Sequence, residues 1–482
     1  MAAHTAIVSV TGSLSGNLDM QKLYARSRAA ERVIEWEVMI PKLCLLLGCA
    51  ALTCAAQPRK VFPYEYSQED LPNGLRLITV PTDYANIVAT YIVVQTGSRN
   101  EVEPGHTGFA HLFEHLMFRG TEKFPAAKYN EALNRIGASS NASTSDDLTT
   151  YHTTFSKEDL DGVLAMEADR FQHLKYAEPE FKTESLAVLG EYNKNSASPF
   201  SKLNEVLHDT AYDKHTYKHT TMGFLKDIQD MPNQYEYSLK FFDRYYRPEY
   251  TTIIVVGDVK ATAVRAMVDK YWGEWKRGSY KPEIPVEPVQ NGARKAHVDW
   301  ASPTLPIVVV AYKGPAYNDA TKDTAALDAL SNLAFSNTSD LYQRLVVQEQ
   351  KADSLGADAP GSVDAGLFEI FARVKKAEDM DYVRDRILDT VKAFQEKPVE
   401  VAKLDIVRKR LRYQLALSMD NSDTIAQILS YYVALRRTPE TLNSLYDQYA
   451  KLSPEDVQQA AAKWLVEKGR TTVTLTGPGG AK

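Results

Sequence analysis

Residues 251–259 read TTIIVVGDV and residues 471–479 read TTVTLTGPG. Both are runs of β-branched residues ending in glycine, the composition of a strand that stops at a turn. Each closes a longer stretch of mixed elements. Ahead of the first lie LPNGLRLITVP (71–81), with an Asn73-Gly74 turn signal before a strand, and a second strand, NIVATYIVVQTG (86–97). Helices GFAHLFEHLMF (108–118) and AAKYNEALNRIG (126–137) follow, then a Thr/Ser-rich strand NASTSDDLTTYHTTF (141–155), then helices to about Tyr246. The helix KATAVRAMVDKYWGEW (260–275) comes after TTIIVVGDV. Beyond it, KPEIPVEPVQNGARK (281–295) is dense in proline and polar residues, as expected of a linker. The same order then recurs: a strand LPIVVVAYKG (305–314), two helices (324–335 and 339–350), strands near 354–374, helices from about Asp379 to Trp464, and the closing strand. A repeat of roughly 200 residues built this way argues for two similar α+β domains. The expected boundaries are 57–276 for the first domain, 277–298 for the linker and 299–482 for the second.

Of the 482 residues, 44% are hydrophobic and 24% charged, ordinary for a globular chain with large cores. Lys plus Arg is 56 against 62 Asp plus Glu, a net charge of −6, so no basic surplus points to nucleic acid. All three cysteines (Cys44, Cys49, Cys54) fall in MIPKLCLLLGCAALTCAAQ, which starts at Met39. That stretch has a short n-region with Lys42, an apolar run from Leu43 to about Thr53, and small residues up to Ala56. It reads as a signal peptide at 39–56, too short for a permanent transmembrane helix, which needs about 20 apolar residues. An internal buried helix fits the same run. So does a lipoprotein site at Cys49, which would add a lipid anchor. The polar segment 1–38 has no place ahead of an n-region and reads as a non-native leader, with Met39 as the start; an organelle transit peptide is opposed by Glu31, Glu35 and Glu37. A signal implies export, to a periplasm-like compartment, of a mature chain with no cysteine and no transmembrane helix.

HLFEH (111–115) places two histidines at i and i+4, on one face of a helix, where both imidazoles can hold one metal ion. Phe109, Ala110, Leu112, Phe113, Leu116, Met117 and Phe118 make that helix apolar nearly all round, hence buried. Two histidines and a glutamate sunk there require partners. A catalytic zinc takes three protein ligands and keeps a fourth position open. In KTESLAVLGEYNKN (182–195), Glu184 and Glu191 lie two helical turns apart on one face, and either carboxylate could serve. His106, His152, His173, His208, His215 and His219 lack ligand spacing to this set.

HLFEH is the H-x-x-E-H inverzincin signature. With its flanks GFAHLFEHLMFRGTEKF and NASTSDDLTTY, and with YYRPEYTTIIVVGDV further on, the chain resembles the pitrilysin-type zinc metallopeptidases. The likeness is to the branch containing the mitochondrial processing peptidase and its bacterial relatives, and it extends over nearly all of the chain after about Pro63. In that family the third ligand lies about 76 residues past the second histidine, in a helix reading E-x(6)-E. Here 191 − 115 = 76. The resemblance therefore implies one Zn2+ per chain on His111, His115 and Glu191, with Glu114 and Glu184 as the catalytic carboxylates, Glu184 supporting the site. It implies two homologous α+β domains, each a mixed, largely antiparallel sheet covered by helices, of which only the first carries the metal. It also implies that the strand through Asn141, Ala142 and Ser143 binds an extended peptide by adding it as an extra strand. Asp146 and Asp147 suggest the plainer role of blunting a sheet edge.

Zinc acidifies a water and polarises the scissile carbonyl, and Glu114 is placed to take a proton and pass it to the leaving amine. The family encloses its centre in a chamber of four such domains, so a one-unit chain is expected to pair as a homodimer, or as a heterodimer with a homologous chain. The expected activity is that of an exported zinc endopeptidase acting on peptides or unfolded segments. The alternative is a non-catalytic structural or peptide-binding member of the same fold.

Overall fold

A computed structural model describes residues 60–478. The leader expected at 1–38 and the signal peptide expected at 39–56 lie outside the described residues. The first half contains β1 (Ser67–Asp70), β2 (Arg76–Pro81), β3 (Ile87–Val94), α1 (Phe109–Leu116), α2 (Ala126–Arg135), β4 (Ser139–Thr144) and β5 (Thr149–Ser156). It continues with α3 (Leu160–His173), α4 (Glu178–Asn195), α5 (Pro199–Ala211), α6 (Leu225–Asp230), α7 (Tyr235–Tyr245), β6 (Thr251–Gly257) and α8 (Ala261–Trp272). The second half contains β7 (Arg294–Asp299), β8 (Ile307–Lys313), α9 (Lys322–Phe335), α10 (Asp340–Tyr342), β9 (Ala352–Asp358) and β10 (Leu367–Val374). Then come α11 (Met380–Glu396), α12 (Val401–Ser418), α13 (Ser422–Arg436), α14 (Glu440–Lys451), α15 (Pro454–Trp464) and β11 (Arg470–Thr476).

The strands form two sheets, ordered β1-β2-β6-β3-β5-β4 and β7-β11-β8-β10-β9. Apart from β1, the two orders correspond strand for strand. In each, the pair opened by β2 or β7 is parallel and every later pairing is antiparallel. The quoted runs are β6 and β11, the second strands of this common order. Their terminal glycines have a steric cause: a Cβ on Gly257 would lie 2.2 Å from Ile87 O, and one on Gly477 would lie 2.5 Å from Ser302 O.

The central strands of both sheets are buried on two faces, which is why β3, β6 and β8 are almost unbroken apolar runs rather than alternating ones. Leu77, Val88, Ile92, Ile253 and Val255 pack with α1, α3, α4, α7 and α8 on one face of the first sheet. Ile78, Val80, Ala89, Tyr91, Val93, Ile254 and Val256 line the other. That face is covered by α13, a helix of the second half, which packs on β3 and β6. The exchange is reciprocal, since α5 of the first half covers β7 and β11 of the second through Leu203, Leu207 and Ala211. Arg437, just past α13 at φ 56°, donates to the carbonyls of Glu249 (2.9 Å), Gly74 (3.2 Å) and Thr251 (3.3 Å).

Two expectations need correction. The linker placed at 277–298 runs into β7, which begins at Arg294. RKAHVD alternates because β7 is an edge strand with one solvated face, and that alternation, lacking an apolar run, resembles polar linker. NASTSDDLTTYHTTF is not one strand but the hairpin β4–β5, closed at residues 145–148 where Ser145 N donates to Leu148 O (2.8 Å). Among the described residues no helix is long and apolar enough to cross a membrane.

Because α13 belongs to the cores of both halves, Leu429→Ala is expected to cost about 2–5 kcal/mol and to lower the urea midpoint of the whole molecule in one transition. Near-ultraviolet circular dichroism, to which the buried Trp272 and Trp275 of the first half contribute, is the check. An unshifted first-half signal would contradict the shared core.

Candidate metal centre

α1 is set into the first half by its own sequence. Phe109, Leu112, Phe113 and Leu116 are wholly buried, and Phe113 stacks between Phe241 and Phe242 of α7. The chain enters the helix through Gly108 at φ 90°, where a Cβ would sit 2.9 Å from Met222 O. Its first amides are taken by a buried carboxylate: Glu101 accepts from Gly108 N (2.8 Å) and Ala110 N (2.7 Å). Burial pushes Glu101 up to about 8, against the pull of those amides. No pattern in EVEPGH announces this role, and the sequence reading missed it.

His111 and Glu114 are buried and His115 nearly so, as an apolar helix requires. α4 runs beside α1 and seats Phe181, Ser185 and Val188 in the core, which turns Glu184 and Glu191 toward the histidines. Leu186, on the other face of α4, points to solvent. Glu191 Oε2 lies 3.5 Å from His111 Nε2 and 3.4 Å from His115 Nε2. The imidazoles stand at 85° to one another with centroids 4.9 Å apart. Ligand atoms of His111, His115 and Glu191 fall within 4.8 Å of one another, and no other such group of His, Cys, Asp or Glu occurs among the described residues.

The donors fit a zinc ion. His115 Nε2 is buried with no hydrogen-bond partner, which leaves it free for a cation, and His111 Nε2 lies beside the same Glu191 oxygen. Two imidazoles and one carboxylate are the three protein ligands of an open zinc site. Glu184 stands behind His115, with Oε2 3.3 Å from Nδ1, and its other oxygen is held by Arg119. A carboxylate on Nδ1 fixes the tautomer that presents Nε2 forward. Glu184 is thus a positioning residue rather than the second catalytic carboxylate, since it touches a ligand and not the space in front of the ligands. Arg119, two residues beyond Met117, was not foreseen.

Glu114 points from the same helix and accepts a hydrogen bond from Thr144 Oγ1 (2.7 Å), another residue the sequence did not single out. Burial raises the Glu114 carboxyl above its usual range, only partly offset by that hydroxyl and by His115. Burial alone would lower His115, but the Glu184 and Glu191 carboxylates outweigh it and carry the ring to about 9. His111, buried and beside His115, falls to about 4. The His115 side chain holds Glu191 below the usual carboxylate range.

Asn141, Ala142 and Ser143 lie on β4, an edge strand paired only with β5 and packed against α1. Ala142 is buried while Asn141 is exposed, and Ser143 Oγ meets Thr150 Oγ1 at 2.8 Å. Asp146 and Asp147 do not blunt this edge. They sit in the β4–β5 turn with their carboxylates tied inward, Asp146 to Ser98 Oγ (2.9 Å) and Asp147 to Tyr217 OH (2.6 Å). Of the other histidines, His106 lies against Tyr237 and His152 stacks on Tyr91.

A paired-sheet α+β repeat whose first half carries this donor set has the form of a two-domain metallopeptidase. Residues 76–224 match the insulinase family (peptidase family M16), and residues 234–411 match the peptidase M16 inactive domain. The chain is 29% identical over 412 residues to the zinc protease PqqE of Helicobacter pylori, covering 84% of this chain and 91% of that one. It is similar to the crystal structure of a protease from Helicobacter pylori, with TM-score 0.80 and 29% identity over 86% of this chain and 99% of the other. The same fold recurs in the periplasmic protease PqqL of Escherichia coli, with TM-score 0.71 and 18% identity, where 86% of this chain covers 48% of that one. The chain belongs to the M16, insulinase or pitrilysin-type, peptidase family.

With its metal-free pKa near 9, His115 carries a proton at neutral pH that zinc must displace. Zinc affinity is therefore expected to rise with pH, by up to about tenfold per unit, until pH reaches about 9. Calorimetry in buffers of differing ionisation enthalpy should register about one released proton at pH 7.5. Glu184→Gln should weaken zinc by about 10- to 100-fold without abolishing it.

Proposed function

We propose that this chain is an exported zinc-dependent endopeptidase that hydrolyses peptides or unfolded segments, its site enclosed with the help of a second two-domain unit. The observation that carries the reading is the convergence of both histidine Nε2 atoms on one Glu191 oxygen, with Glu114 buried one residue from His115. Membership of a family whose relatives are named zinc proteases supports it. His111, His115 and Glu191 would hold the zinc, which when bound supplies a Lewis acid for a water and for the scissile carbonyl.

The remaining work falls to this chain's own groups. Glu114, raised by burial, is suited to hold a proton between water and the leaving amine. Thr144 orients its carboxylate and Glu184 orients His115. The free edge of β4 can bind an extended peptide through backbone hydrogen bonds, which reads shape rather than sequence and favours broad specificity. The chain supplies one two-sheet unit, whereas the PqqL chain of the same fold is about twice as long. A second copy, or a homologous chain, is the natural complement. Export rests on the 39–56 stretch of the sequence, and N-terminal sequencing of the secreted product should start near Gln57.

Glu114→Gln is the deciding variant. It should retain one zinc by mass spectrometry or metal analysis and lose about 100- to 10,000-fold in kcat on a mixed peptide library. Wild type that binds zinc yet cuts nothing, alone or with a homologous partner chain, would overturn the peptidase reading and leave a binding role.

A further inference from the structure

The β4–β5 turn, residues 145–148, is gripped from both halves of the molecule. On the first-half side, Arg99 N donates to Asp146 O (2.8 Å) and Ser98 Oγ to the Asp146 carboxylate (2.9 Å). On the other side stands the loop 360–366 between β9 and β10 of the second half. Asp147 Oδ2 accepts from Val363 N (2.9 Å) and its Oδ1 from Tyr217 OH (2.6 Å). The same tyrosine oxygen accepts from Asp364 N (3.2 Å).

Asp364 completes the grip, its Oδ2 lying 2.5 Å from Arg99 Nε and 3.0 Å from His215 Nε2. Tyr217 N donates to His215 Nδ1 (3.0 Å), so the imidazole is held with its Nε2–H directed at Asp364. Two further tyrosines pin the loop, Tyr212 OH of the first half on Ala365 O (3.1 Å) and Tyr431 OH of the second half on Gly361 O (2.8 Å). Asp147 and Tyr217 are buried, so these bonds are made away from solvent and are costly to leave unmade. The residue that precedes this turn is Thr144, the hydroxyl donor to Glu114.

We propose that Asp147 and Tyr217 are positioning residues that latch the β4–β5 turn to the second half's 360–366 loop and, through Thr144, set the orientation of Glu114. The proposal rests on the peptidase reading for its consequence in catalysis. The latch itself is a matter of structure. It gives the second half, which carries no ligand set among the described residues, a hold on the first half's base that runs through the turn and Thr144. A hydrogen-bond chain of this kind transmits position because each member has its remaining partners fixed.

Two measurements on the full chain test it. Hydrogen exchange of Tyr217→Phe and Asp147→Asn should show amides of β4 and residues 145–148 opening at least about tenfold faster, with those of α11 and α15 unchanged. Both variants should keep one zinc and a KM within about twofold of wild type while kcat falls about tenfold. Thr144→Val should lower kcat comparably and Thr144→Ser should restore it. Adding Tyr217→Phe to Thr144→Val should cost nothing more, because the two act through one hydroxyl. Unchanged exchange at 139–148, or equal fold-losses from Tyr217→Phe in both backgrounds, would overturn the latch. If wild type cuts no peptide, the peptidase reading falls separately, and the exchange measurement alone decides the latch.

Discussion

Three ionisable side chains are built into one turn and a half of a helix that is apolar on every side, and the first half is arranged around that difficulty. His111 and Glu114 are buried and His115 nearly so, so each needs a neighbour brought to it. α4 supplies Glu191 to both imidazoles and Glu184 to the back of one; β4 supplies Thr144 to the carboxylate. Glu101 removes the orphan amides at the start of the helix, so that α1 can begin inside the core without a solvent-exposed cap. What these groups leave open in front of the two Nε2 atoms is a cation between His111, His115 and Glu191, so metal binding and burial of the helix are linked.

That constraint explains what could be read from the sequence. HLFEH within an apolar helix states both the ligand pair and its burial. Glu191 follows from helical spacing once its partner Glu184 is noted, and the resemblance decided between them. Residues whose roles depend on crossing a long stretch of chain left no local trace. Glu101, Arg119 and Thr144 are ordinary polar residues in polar surroundings, and only the fold reveals that each lies against α1. For Glu184 the resemblance implies a supporting carboxylate, and only the fold shows that it stands behind His115, on Nδ1.

The fold divides in the same way. β6 and β11 were legible as a repeated strand because burial on both faces enforces β-branched runs. β1 and β7 escape the sequence reading, since edge strands with a solvated face need no such run: SQED is too short to show a period, and the alternation of RKAHVD is polar enough to pass for linker. The exchange of α5 and α13 between halves was beyond sequence reach altogether. Each is amphipathic or apolar enough to be buried, but nothing local specifies which sheet receives it.

That exchange bears on why a half without its own metal ligands keeps so complete a copy of the fold. α9 occupies the place of α1 in the repeat, yet KDTAALDALSNLAF has no histidine, so metal binding does not hold it in form. The need is mechanical. Without α13, one whole face of the β3 and β6 core would lie open, with Tyr91 and Thr154 losing their shared acceptor on Asp423 (3.1 and 2.9 Å). Without the 360–366 loop, the buried Asp147 carboxylate would lose its amide partner next to the turn that carries Thr144. The two halves thus differ in chemistry but not in structural necessity: the first holds the candidate metal ligands, and the second supplies surfaces the first cannot make for itself. A repeat can shed its ligands and still be retained whole when its partner's core is completed by its helices.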